Sequence, residues 1–325
     1  MSDIFTFGVP EKKSSFMRNY TRSLSFVLLT AMVLVFNACT TEDNSGTNPA
    51  PSPNMLTFIS SSSQFSLFNA AVNRANLTSA LTNPNITVFA PDNTAWGRIG
   101  ISSISQIEAI PVSTLQSTIS YHIVSRRIAG SAIPVSDSIR TLNSQNIYAS
   151  NNQNGKFING FRIGTTDFTT SNGLLHVIDR PLTPPLPNSS ISSIVANDTT
   201  FSFLFSALTR LNLVATFNNP GKYTVFAPTN AAFRTAGITD VNAVPLATLD
   251  NVVKSHVVGT NAFASDIFNG GIAPVLSGRT ITFAQNTTAT QVKILYSIQQ
   301  FSNITRTDIV ATNGVIHVIS RVMLP

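Results

Sequence analysis

Four histidines, one cysteine and one serine–histidine neighbour pair are the groups in this 325-residue chain whose types could do chemistry. The histidines fall in two pairs, His122 with His176 and His256 with His317, at matching places in a repeated sequence. As metal ligands they fall short, because a zinc centre takes three or four His, Cys or carboxylate groups. No carboxylate is expected to accompany both pairs: Asp179 follows His176, and Ser320 stands at the matching place after His317. Ser255 beside His256 has the composition of a nucleophile and its base, but the first copy carries Tyr121 there. A working nucleophile needs a base that is itself held in place, and sequence neighbours need not face each other. The expected role of all four is structural, tying helix to sheet, with a hydrolase acting through His122 or His256 as the rival. No metal and no cofactor are expected.

The elements that place these residues occur twice. Ile86-Thr-Val-Phe-Ala-Pro-Asp-Asn-Thr-Ala-Trp96 returns as Tyr223-Thr-Val-Phe-Ala-Pro-Thr-Asn-Ala-Ala-Phe233, and Asn172-Gly-Leu-Leu-His-Val-Ile178 returns as Asn313-Gly-Val-Ile-His-Val-Ile319. Between them Tyr121-His122 matches Ser255-His256, and upstream Ala71–Leu77 matches Ala207–Leu213. Four blocks in one order, at offsets of 137, 141, 134 and 136, describe a whole duplicated domain. The boundaries expected are 54–181 and 190–325, joined by a proline-rich linker over 182–189 that acts as a semi-rigid spacer. Within each copy, apolar residues at helical spacing (Phe65, Phe68 and Val72; Phe201, Phe205 and Leu208) come first. A short β segment ending at Ala-Pro follows, with Asp92 or Thr229 as the N-cap of the next helix. A second helix is predicted over 246–258, and strands then follow to the end. Asn-Gly at 172–173 and 313–314 reads as hairpin chemistry. Helices grouped before strands predict an α+β fold.

The ordered set Thr-Val-Phe-Ala-Pro-(Asp/Thr)-Asn-x-Ala-(aromatic), x-His, and Asn-Gly-(aliphatic)₂-His-Val-Ile resembles the fasciclin domain, in both copies, from near Asn54 to Pro325. The resemblance implies a wedge-shaped β-sandwich with helices at one side, and adhesion at a cell surface or matrix. It also links Tyr121-His122 to adhesion, with Ser255 as the departure in copy two. Candidate binding residues are Tyr121, His122 and His256 in the mid-domain motif and, from the residues themselves, Tyr148 in the amide-rich loop Ser144–Gly155, where amides and an aromatic can bind a glycan and the same letters also make hairpin turns. His176, His317, Asp92 and Thr229 are expected to be structural. Trp96, aligned with Phe233, is expected in the core.

Residues 24–36 form an uncharged apolar run preceded by Arg18 and Arg22, too short to span a bilayer but suited to a signal peptide over 1–38, with Met17 as the expected true start. The run ends at Ala38-Cys39, which resembles the lipobox of bacterial lipoproteins, with Phe36 where that family usually has Leu. That resemblance implies diacylglycerol and a further acyl chain, such as palmitate, on Cys39. Residues 39–53 read as the lipidated cysteine and a flexible tether. Glu42-Asp43 resembles an outer-membrane sorting signal, and is equally the composition of a solvated tether. Asp137-Ser138-Ile139 and Asp198-Thr199-Thr200 resemble O-glycosylation triplets.

Composition narrows the partners. Only 10% of the residues are charged, and over residues 39–325 no basic run is longer than Arg126-Arg127. A phosphate-binding face needs clustered Lys and Arg, so nucleic acid is not an expected partner. The expected function is a non-catalytic adhesion protein, held to the membrane by its lipid anchor in the cell envelope, outer membrane, with outward-facing domains. Its ligand would be a protein or a polysaccharide at the cell surface. A periplasmic scaffold is the alternative.

Overall fold

The computed structural model describes residues 52–267, 271–285, 292–297 and 300–324. The signal core, Cys39 and Glu42-Asp43 lie outside the described residues. Copy one runs α1 (Met55–Ser61), α2 (Ser66–Arg74), β1 (Ile86–Pro91), α3 (Asn93–Gly97), α4 (Ile104–Glu108), α5 (Val112–Tyr121), β2 (Ile123–Val124), β3 (Ser136–Arg140), β4 (Asn146–Asn152), β5 (Gly155–Ile158), β6 (Phe161–Arg162), β7 (Phe168–Thr170) and β8 (Gly173–Ile178). Copy two repeats the plan with α6 (Ile191–Asn197), α7 (Ser202–Arg210), β9 (Tyr223–Pro228), α8 (Asn230–Thr235), α9 (Leu246–Ser255), β10 (Val257–Val258), β11 (Ile272–Pro274), β12 (Thr280–Gln285), β13 (Val292–Ser297), β14 (Gln300–Ala311) and β15 (Gly314–Ile319). Among the described residues no helix is long and apolar enough to cross a membrane.

The fold is α+β, and its centre is a parallel pair. β1 lies beside β8 in register Ile86 to Gly173 through Pro91 to Ile178, and β9 lies beside β15 in the same way. All six β1 residues are buried, as expected of a strand covered on both faces. Its side chains alternate between two cores. Ile86, Val88 and Ala90 join the helices, packing with Phe68, Trp96, Leu115 and Leu175. Phe89 points to the other face, where Ile139, Ile147, Ile158 and Ile178 come from the second sheet and its neighbours. Copy two divides identically, Val225 and Ala227 toward the helices and Phe226 toward Ile281, Phe283 and Ile304. Each buried aromatic of this kind stabilises the fold by about 1.5–3 kcal/mol relative to exposure.

The copies differ in how the sheets join. In copy one β2-β1-β8-β7 and β3-β4-β5-β6 are separate four-stranded sheets, linked by an Ile163–Ile178 bridge. In copy two the single strand β14 replaces the β6/β7 pair, bends through two register shifts against β15, and merges everything into one seven-stranded sheet.

Three expectations need correction. The helix expected over 246–258 stops at Ser255, because β-branched Val257 and Val258 pair with Val225 and Thr224 as a strand. Asn172-Gly173 and Asn313-Gly314 do mark hairpins, β7–β8 and β14–β15, with Thr170 paired to Gly173 and Ala311 to Gly314, but the two-residue turns are Ser171-Asn172 and Thr312-Asn313, one position earlier than expected. Asn172 and Asn313 have ordinary φ, and each glycine already begins a strand. Leu182, placed in the linker, is fully buried in the core of copy one.

Candidate functional site

The repeated polar residues converge on main-chain groups. His122 caps the C-terminus of α5 and is fully buried. Its Nδ1 lies 2.7 Å from the Thr118 carbonyl oxygen, and its Nε2 accepts from the Leu182 N–H at 2.8 Å. A carbonyl can only accept and an amide can only donate, so the ring is the neutral Nδ1–H tautomer. His256 repeats this with Val252 at 2.7 Å and the Met323 N–H at 2.9 Å. Burial lowers both rings from 6.5 to about 4, against the smaller opposing effect of the carbonyl bond.

His176 and His317 are the opposite tautomer. Nε2–H of His176 donates to the Ile128 carbonyl at 2.8 Å, and Nδ1 accepts from the Asp167 N–H at 3.1 Å. His317 does the same with Ala262 at 2.7 Å and the Asp308 N–H at 3.3 Å. Burial lowers both rings. All eight ring nitrogens are therefore engaged with main chain, leaving no lone pair for a metal or a substrate proton.

Here the structure reveals a pair of residues that the sequence scan passed over. Asp167 and Asp308 each stand nine residues before a histidine and each adopts left-handed φ, 64° and 60°. Each carboxylate accepts from the loop after β2 or β10, Gly130 N–H and Ala264 N–H, both at 2.8 Å. Burial raises the Asp308 carboxyl. A carboxylate thus accompanies both histidine pairs, contrary to the expectation from sequence, because it lies nine residues upstream and is brought to the ring by the hairpin rather than by sequence adjacency. Thr87 and Thr224 were also passed over. The Thr87 hydroxyl donates to Arg126 O at 2.7 Å and accepts from Ile128 N–H at 2.8 Å, and Thr224 matches it on Thr260 and Ala262.

The remaining motif letters are also accounted for. Asp92 and Thr229 cap α3 and α8, accepting from Ala95 N–H at 2.7 Å and Ala232 N–H at 3.2 Å. The asparagine after each, Asn93 or Asn230, caps α2 or α7 across space through Leu67 N–H and Phe203 N–H. Asn172 accepts from Met55 N–H and donates to Leu81 and Asn83 carbonyls, each at 2.8 Å. Asn313 does the same for Ile191, Phe217 and Asn219. The glycine that follows is required by proximity: a Cβ on Gly173 would overlap the Ile86 carbonyl, and on Gly314 the Tyr223 carbonyl. That is the physical reason for Asn-Gly here.

Tyr121 is fully buried, its hydroxyl donating to Asn146 O at 2.7 Å and accepting from Asn159 Nδ2 at 3.0 Å. Burial raises it well above the usual tyrosine range. Tyr148 lies in strand β4, not in an open loop, because Ser144–Gly155 folds as one arm and the turn of the β4–β5 hairpin. It is 4% exposed, packs on Phe263 of copy two with ring centres 5.9 Å apart, and burial pushes its hydroxyl up to about 12. Asn152 Nδ2 donates to Ser265 O at 3.1 Å and to Asp266 Oδ1 at 3.0 Å, and Lys222 pairs with Asp137. Beside these contacts, Asn151, Asn152, Asn261 and Asp266 face Val135 and Ile272 across a cleft of about 250 Å³ between the copies. Tyr121, His122, His256 and Tyr148 are thus not brought together at any surface; a ligand touching the folded protein meets other side chains.

The Fasciclin domain family model matches residues 63–184 and 199–325. The chain belongs to the fasciclin domain family. Periostin from Homo sapiens is 27% identical over 245 residues, covering 74% of this chain and 28% of periostin. Transforming growth factor-beta-induced protein ig-h3 from Sus scrofa is 27% identical, covering 75% of this chain and 33% of that protein. The chain thus spans about a third or less of those two relatives. Protein sll1483 from Synechocystis sp. is 34% identical over 140 residues, 42% of this chain and 73% of that protein. A solved FAS1 domain pair from the insect cell adhesion molecule Fasciclin I covers 80% of this chain and 96% of its own, at 17% identity and a TM-score of 0.40.

In both fasciclin domains the shared motif is a set of polar fasteners. The Ser255 hydroxyl donates to Asn251 O at 2.8 Å and meets Ser277 Oγ at 3.0 Å, so it does not bond to His256. A serine turned away from its neighbouring imidazole, itself held by two main-chain groups, is not an activated nucleophile. Among the described residues no three His, Cys, Asp or Glu side chains gather as metal ligands do.

Proposed function

We propose that this chain is a non-catalytic adhesion protein of the cell envelope, anchored through lipid on Cys39 and presenting its two fasciclin domains outward to a protein or polysaccharide ligand. The observation that carries this reading is the engagement of every histidine nitrogen by backbone groups. The shared motif then serves folding, and recognition falls to the surface around it. Family membership supports the adhesion role that the sequence resemblance implies. Tyr121-His122 enters adhesion indirectly on this reading, by holding α5 and the strand after it in place.

A surface low in charge should bind through neutral hydrogen bonds, so adhesion should change little between low and physiological salt, unlike a counterion-release contact. Beads carrying residues 54–325 should adhere to cells, matrix or immobilised polysaccharide. Absence of adhesion to all of these, together with ester turnover that His256→Ala abolishes, would overturn the proposal in favour of a hydrolase.

A further inference from the structure

The duplication supplies an internal control: where copy one keeps polar groups that copy two has converted to structure, copy one retains something else to bind. One place fits that description. Between the α1–α2 junction and α4 of copy one lies an open groove of about 760 Å³, within the roughly 300–1,000 Å³ usual for small-ligand sites. Ser63, Asn69, Asn73, Arg74 and Glu108 line it, with Ile104 as its main apolar surface.

Their partners are missing in an informative way. Among the described residues, neither the Arg74 guanidinium nor the Glu108 carboxylate has an ion pair or hydrogen-bond partner within the protein. In copy two the same positions are occupied. Arg210, which aligns with Arg74, donates to the carbonyls of Val241 and Val244. Phe205 replaces Asn69 and packs against the core. Thr209 replaces Asn73 and donates to Phe205 O at 2.9 Å. The cause is visible in the sequence: the offset between copies falls from 137 at Trp96 to 134 at Tyr121, so copy one has three extra residues between α3 and α5. Those residues help build helix α4 where copy two has only the 3₁₀ turn Val241–Ala243, and Arg74 is left without the carbonyls that hold its counterpart.

We infer that the groove between α2 and α4 of the first fasciclin domain is a binding subsite for a neutral, hydroxyl-rich oligosaccharide. Vicinal sugar hydroxyls both donate and accept. They can give a hydrogen to Glu108 and accept from Asn73 and the planar fork of Arg74. The single positive charge is offset by the single negative one, so the groove has no net preference for an anionic chain. Ile104, 48% exposed, offers an apolar surface for the C–H face of a sugar ring. A peptide would find little here, since the lining holds no deep apolar pocket and no sheet edge. This inference rests on the adhesion reading and names the chemistry of one of its contacts.

The test is calorimetric titration of the full chain with dextran, mannan and laminarin oligosaccharides, with oligogalacturonate as the acidic comparison. At least one neutral sugar should bind with one site per chain. Arg74→Ala should weaken it by about tenfold, the loss expected from one charge-assisted contact. Asn69→Phe, which installs the copy-two residue, should abolish binding, and Thr209→Ala should leave it unchanged. Unaltered thermal transitions establish that each variant is folded; if Asn69→Phe fails that check, the exposed Arg74→Ala carries the test. No binding of any neutral sugar, two sites per chain, tighter binding of oligogalacturonate, or insensitivity to Arg74→Ala would each overturn the inference. Bead adhesion separates the two readings. Arg74→Ala beads that adhere as well as wild type sink the groove and leave adhesion standing, whereas wild-type beads that adhere to nothing sink adhesion itself.

Discussion

Acid should unfasten this protein through its histidines, and copy one offers the cleanest measurement. The His122 ring is lowered from 6.5 to about 4 by burial. In the unfolded chain the ring binds a proton as pH falls through 6.5, while in the folded chain it stays neutral to about pH 4. Unfolding therefore takes up a proton in that window. Stability rests at its plateau above pH 6.5 and falls as pH drops, by at most about 1.4 kcal/mol per pH unit for one histidine. At pH 5 the loss from His122 is about 2 kcal/mol relative to pH 8. His256 adds a similar loss in copy two, while Asp308, raised by burial, works in the opposite direction there. Urea denaturation at half-unit steps from pH 8 to pH 5, read for each transition, measures this slope in the full chain. In His122→Asn the His122 share should vanish, leaving the shallower slope that His176, also lowered by burial, contributes to copy one, and stability at pH 8 should fall by about 1–3 kcal/mol because the Leu182 amide loses its acceptor. A wild-type profile flat between pH 7 and pH 5, or an identical slope in His122→Asn, would refute the assignment of a buried neutral imidazole.

Three further outcomes are expected. Gly173→Ala should destabilise copy one by more than about 3 kcal/mol, because its Cβ would overlap the Ile86 carbonyl inside the central strand pair; a loss under about 1 kcal/mol by urea titration would mean β1 and β8 can part freely. Tyr148→Ala and Phe263→Ala, whose rings meet between the domains, should show a coupling of about 0.5–1.5 kcal/mol in a double-mutant cycle; additive effects would mean that the domains fold without mutual support. Cys39→Ala should release the protein from membranes and abolish uptake of a clickable fatty acid, and a wild type that takes up no label would rule out the lipid anchor.

Much of the fold was legible because duplication doubled the signal. Helix α2, the β1 strand, the Asp92 and Thr229 caps and the later strands follow from periodicity and cap chemistry that each copy states separately. Trp96 lies in the core, as its alignment with Phe233 implied. The parallel pairing of β1 with β8 was not legible. It joins residues 87 positions apart, and neither strand carries a mark of its partner. Helices α1 and α6 were hidden by serine- and asparagine-rich ends that break the apolar period, and both are started by side-chain caps, Asn54 and Ser190. At the site, residue types were readable but their partners were not. His122 and Asn172 act on backbone groups 60 and about 90 residues away, and backbone carries no sequence signature. Asn-Gly marked the β7–β8 and β14–β15 hairpins, while its clamp role stayed hidden because turn chemistry and clamp chemistry use the same two letters.

The central position of the closing strand has a consequence for synthesis. β8 lies between β1 and β7, and β15 lies between β9 and β14, so in each copy the last strand made fills an interior position of the sheet that holds the parallel pair. A nascent fasciclin domain holds its helices and hairpins around an empty slot until that strand emerges. Only then can Asn172 reach Met55, His176 reach Ile128 and Leu182 reach His122. Long-range closure of this kind is slow, and until it happens the flanking strand edges are open to other chains. The first domain is complete about 130 residues into its own length, before most of the second exists, so the two need not compete for each other's near-identical strands.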